Sequence, residues 1–270
     1  MMALRSGMLL VATLLAMAAL GAFSGDLQPS ALRVMVTAVV GLLALLFWPG
    51  LAATPARTAL RVAGWSMAAA LLAAAVLALA GSGRQPWTRI GTSCAMLWLI
   101  LLVAHALAAV LETRFRAWRG GTLAHSPVDA PLQARSQAHP QAHLQTHSQA
   151  TTESAGRMLA WLLALLGSLP LWLGPLAELL SGRHDWAVDA VIGASPLTHL
   201  AVASGNDLLR NQWFYQHVNL SGLQFSYPDL AAIVAAYGLA CLMLALGAFG
   251  LGRRRVAIAG TTLSHPPPRR

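Results

Sequence analysis

The sequence predicts an all-α polytopic membrane protein of about six transmembrane helices, with a helical outer-face segment between the fifth and the sixth. Three observations lead there. The 270 residues are 57% hydrophobic and only 10% charged, where soluble domains carry about a quarter charged residues. Six apolar runs approach the roughly 20 residues a span needs. The basic residues, all of them Arg, fall unevenly around those runs.

The first run, residues 7–23, is GMLLVATLLAMAALGAF. Arg5 before it and the small residues around Ala22 and Ser24 also fit a cleavable signal. The run is long for that, and it is read as a span. The second, residues 31–48, is stopped by Pro49-Gly50. The third covers 62–81 and the fourth 90–111. These four make a membrane region over 1–111. A cytoplasmic linker is expected over 112–157, then a two-span region over 158–252. Its spans are 158–180, interrupted by Pro170, Gly174 and Pro175, and 230–251. A basic tail, 253–270, follows. In hydrocarbon every backbone N–H and C=O needs an internal partner, so each span should be helical.

Orientation follows from Arg, which is enriched in cytoplasmic loops. With both termini cytoplasmic, thirteen of the 18 Arg lie inside. Only Arg33, Arg84, Arg89, Arg183 and Arg210 lie outside. The absence of Lys reads as coding bias in a GC-rich, bacterial genome, which places the chain in an inner (plasma) membrane. The net charge of +9 then orients the chain against the bilayer and calls for no nucleic acid. Cys94 and Cys241 lie in apolar runs and read as small buried hydrophobes.

The linker carries a tetrapeptide repeat, QARS-QAHP-QAHL-QTHS-QATT, with His139, His143 and His147 four apart. On a helix they would share a face and could meet a metal. Pro140 opposes a helix there, so the segment reads as a low-complexity linker and no cofactor is expected. Within the fourth span His105 is an ionisable intramembrane residue, a functional candidate by default. Its alternative is a neutral imidazole bonded to a neighbouring helix. Glu112, two turns on, reads as a solvated carboxylate at the span's end. Thr92 and Ser93 can bond neighbouring helices.

The segment 181–229 is long for a connection. Ser195-Pro196 is a helix start, with Ser as N-cap and Pro at the first helical position. The helix PLTHLAVAS should stop at Gly205. Asn206 or Asp207 can cap a second short helix, DLLRNQWFYQH. The product would be an outer cap or a re-entrant hairpin. Its candidate functional residues are His199, Asn206, Asp207, Arg210, Gln212, Trp213, Tyr215 and His217. No HExxH or G-x-S-x-G pattern accompanies them, so nothing specific points to catalysis.

Six spans, two inner termini and a helical excursion before the last span are similar in layout to ABC-2-type exporter permeases. The resemblance covers topology and no motif. The chain departs from that layout in its long 112–157 linker and in having no evident amphipathic helix before the first span. The resemblance implies a permease-like component of a transport system. With no Walker motif in the chain, a separate cytoplasmic ATPase or other membrane subunits would be its partners, beside the lipid bilayer. The inner loop 54–61 would be the docking place. The alternatives are a membrane scaffold or assembly factor working through the outer cap, and, third, a membrane-embedded enzyme.

Overall fold

The computed structural model describes residues 2–23, 29–52, 54–80, 86–123, 158–169, 186–207 and 226–262. Among these residues every regular element is a helix. In chain order they are α1 (Met2–Phe23), α2 (Pro29–Leu46), α3 (Pro55–Ala80), α4 (Trp87–Leu123), α5 (Met158–Gly167), α6 (Trp186–Ala194), α7 (Pro196–Ser204) and α8 (Leu230–Thr262). The protein is therefore a helical membrane protein. Among the described residues three helices are long and apolar enough to cross a bilayer, or four if the bent pair α6–α7 is one span.

Start signals explain where helices begin. α2 and α3 open on Pro29 and Pro55, whose fixed φ suits the first helical position. Thr54 caps α3, its Oγ1 accepting from the Arg57 N–H at 3.3 Å. The stretch 54–61, expected as a loop, is thus α3's first two turns, because Thr54-Pro55 starts the helix well before the apolar run does. Between α2 and α3 the chain turns at Gly50, in a positive-φ conformation (77°). Arg61 closes the turn by donating to the carbonyls of Gly50 and Leu51 at 3.2 and 3.0 Å.

At their C-termini, α4 and α8 outrun the expected spans. α4 continues to Leu123 and α8 to Thr262. Arg and Ala are good helix formers, and no proline interrupts either extension. The linker and tail therefore begin as helix.

The fourth helix is the hub, packed against α2, α3, α7 and α8. Lipid tails are as apolar as Leu, so helices in a bilayer associate through close packing and polar contacts. The interfaces fit that rule. Ala69, Ala70 and Ala73 of α3 are buried, as are Ala104 and Ala108 of α4 and Ala201 and Ala203 of α7. At Gly41 α2 packs closely on α4, where a Cβ would lie 2.8 Å from Leu97 Cδ1. Leu79, Leu239, Leu242 and Leu246 stay exposed on the outside of the bundle, which is the face lipid would cover.

Candidate functional site

Among the described residues, one of two polar clusters in the bundle gathers around the bent pair α6–α7. Its helices meet at 81° across the single residue Ser195. Ser195 is fully buried and makes both bonds a hydroxyl at a break can make. Its Oγ accepts from the Thr198 N–H at 3.4 Å and donates to the Gly167 carbonyl of α5 at 3.0 Å. The N-cap expected from Ser195-Pro196 is therefore formed. α6 itself went unread in the sequence, although WAVDAVIGA is an apolar stretch with Asp189 in its first turn.

The other end of α7 is accounted for carbonyl by carbonyl. Gly205 adopts the left-handed conformation (φ 63°, ψ 34°). Its N–H reaches Val202 O at 3.0 Å and the Asn206 N–H reaches Ala201 O at 2.9 Å. That is the Schellman arrangement. The two carbonyls left over find side chains of other helices. Thr92 Oγ1 of α4 donates to Ala203 O at 2.7 Å. Arg33 Nη2 of α2 donates to Ser204 O at 2.9 Å. Ser93 and Ser204 hydroxyls are bonded at 2.9 Å. Unpaired backbone groups are too costly in hydrocarbon, and here none of the last four carbonyls lacks a partner.

Of the candidates in the cap, His199, Asn206 and Asp207 are described. Arg210, Gln212, Trp213, Tyr215 and His217 lie outside the described residues, as do His139, His143 and His147. His199 sits inside the bend. A carbonyl can only accept, so His199 Nε2–H donates to Gly193 O at 2.9 Å. In the neutral ring Nδ1 then accepts from Tyr237 Oη of α8 at 3.0 Å. One imidazole thus ties α6 to α7 and both to α8. Asp207 Oδ1 accepts from Tyr227 Oη at 2.6 Å, and Asp189 Oδ1 from the Ser226 N–H at 3.1 Å. Both flanks of the bent pair are held to the two residues that lead into α8.

Three partners were missed in the sequence: Tyr237, Arg33 and Arg89. The two arginines were read only as orientation charges. Arg33 is buried, and the Arg89 guanidinium lies against Gly205, where a Cβ would be 2.7 Å from Nη1. Asn206 is 8% exposed, and its Nδ2 has no hydrogen-bond partner. Below this cluster α2, α4, α5 and α7 border a half-open cavity of about 100 Å³, lined by apolar groups from Thr37, Gly41, Leu97, Leu101, Leu163 and Leu197 among others.

His105 belongs to a separate cluster at the opposite end. It is fully buried, its Nδ1 2.9 Å from Ser66 Oγ of α3. Its ring stacks on Trp48 at 4.6 Å. Glu112 shares that face and is 2% exposed, so the expected solvated carboxylate is corrected to a buried one. The cause is periodicity: two turns below His105 a side chain points into the same interface. Among the described residues no three His, Cys, Asp or Glu converge as a metal site.

Comparison with protein-family models, with curated proteins and with solved structures returned no match.

Proposed function

We propose that the chain is the membrane-embedded, permease-like component of a transport system. The observation that carries this reading is the bent pair α6–α7, with α7 buried among α2, α4 and α8 and its ends satisfied by side chains. A helix break at membrane depth is tolerated only inside protein or beside a water-filled cavity. Discontinuous helices of this kind build binding sites in many transporters. In this reading α6–α7 is re-entrant: it enters and leaves by the face where α2 and α4 begin. The anchoring of both Asp189 and Asp207 to the lead-in of α8 supports that. The Arg distribution supports taking that face as the outer one, in a reading with six crossings and both termini in the cytoplasm of a bacterial inner membrane.

Such a subunit would need an ATPase made separately. The first turns of α3 offer a surface for one. Leu60 is 75% exposed beside the exposed Arg57, and an apolar side chain next to a guanidinium suits docking to an acidic, grooved partner. Purification from native membranes in mild detergent, with partners identified by mass spectrometry, tests the proposal. A stoichiometric cytoplasmic ATPase that is lost on Leu60→Asp supports it. Recovery of outer-face proteins alone would replace it with the scaffold reading.

A further inference from the structure

Three helices carry matching registers toward the cluster beside Gly205. On α2, Arg33, Thr37, Gly41 and Leu45 succeed one another at four-residue steps. On α4, Arg89, Ser93, Leu97 and Leu101 do the same. Residues four apart share a helix face. On α7 the order is Ser204, Leu200 and Leu197. All three faces therefore grade from polar at one end to apolar deeper in. Thr37, Gly41, Leu45, Leu97, Leu101, Leu197 and Leu200 are walls of the cavity. From Arg33 to Leu45 the strip is about 18 Å long at 1.5 Å per residue. One leaflet of hydrocarbon is about 15 Å thick.

The polar end offers donors. Arg33 and Arg89 bring their guanidiniums to consecutive residues, Ser204 and Gly205. The next residue, Asn206, supplies a buried amide nitrogen with nothing to bond. A buried polar group without a partner is costly and calls for an explanation. Guanidinium forks and an amide N–H suit the oxygens of a phosphate. The apolar end suits a hydrocarbon chain, since its walls are almost wholly apolar and open toward the surface of the bundle.

We propose that the cluster and the cavity form one site for an anionic phospholipid of the adjoining leaflet. Its phosphate is held by Arg33, Arg89 and Asn206 Nδ2, and one acyl chain lies in the cavity between α2, α4, α5 and α7. The site does not depend on transport.

The test is native mass spectrometry of the purified, delipidated full chain, titrated with phosphatidylglycerol, with phosphatidylcholine and with inorganic phosphate. Phosphatidylglycerol should bind at least about tenfold more tightly than phosphatidylcholine, a difference of about 1.4 kcal/mol. Arg89→Gln, at an exposed position, should remove most of that preference. Asn206→Ala, which removes the unpaired Nδ2, should weaken phosphatidylglycerol severalfold. Ala164→Phe, which fills the cavity from α5, should weaken both lipids. Equal binding of the two lipids, or full affinity in Ala164→Phe, would overturn the proposal. Displacement of phosphatidylglycerol by millimolar inorganic phosphate would show a soluble-anion site and overturn it equally.

Discussion

Replacing Gly205 by Ala should destabilise the protein through two separable effects. The residue holds φ 63°, and an L-residue with a Cβ is disfavoured there by about 1–2 kcal/mol. The new methyl would also lie 2.7 Å from Arg89 Nη1 and 2.8 Å from its Cζ. Arg89 is exposed, so its guanidinium can swing away at about 0.5–1.5 kcal/mol of rotamer strain. Together the change should cost about 1.5–3.5 kcal/mol. At about 2–4 °C per kcal/mol for a chain of this size, the melting temperature should fall by about 3–14 °C. Intrinsic tryptophan fluorescence of the detergent-solubilised protein reads that shift. In an Arg89→Ala background the clash disappears and only the conformational cost remains, so the fall should be smaller, and the double-mutant cycle isolates the contact. A neutral Gly205→Ala would refute the left-handed cap. Equal losses in the two backgrounds would refute the placement of Arg89 over Gly205.

Other substitutions probe the joints of the bundle. Tyr237→Phe removes the donor to His199 Nδ1 and should cost about 1 kcal/mol, read as a lower melting temperature. His199→Phe should cost more, because the Gly193 carbonyl also loses its partner. Ser66→Ala leaves His105 Nδ1 buried and unpaired and should cost about 1–3 kcal/mol. Ser195→Ala removes a cap and an α5 contact, and should cost about 1–2 kcal/mol; a neutral result would show that the bend does not rest on that hydroxyl. Leu239→Ala, on the exposed face of α8, should change the melting temperature little.

Much of the fold was legible because it rests on local rules. The apolar runs 62–81, 90–111 and 230–251 marked the three helices long enough to cross a bilayer, and Ser195-Pro196 with Gly205 marked both ends of α7 to the residue. The same rule, applied to Thr54-Pro55, would have started α3 correctly. Other features were not legible because they depend on partners far away in sequence. Nothing local to Arg33 says that it will cap a helix 171 residues on. Nothing local to Tyr237 announces His199. Glu112 was misread because its neighbours Arg114 and Arg116 suggested solvent, while its register with His105 pointed into the α3–α4 interface. The aromatic stretch 208–225 lies outside the described residues, so its part in the site rests on sequence alone.

Cysteine accessibility in intact cells tests most directly whether the bent pair is re-entrant, on which the account of the site depends. Single cysteines would replace Trp186, Asp207 or Arg57, all at exposed positions, in a background lacking Cys94 and Cys241. A membrane-impermeant maleimide should label positions 186 and 207 from outside the cell, and should reach position 57 only after permeabilisation. Labelling of 186 and 207 from opposite sides would make α6–α7 a crossing helix and contradict the account.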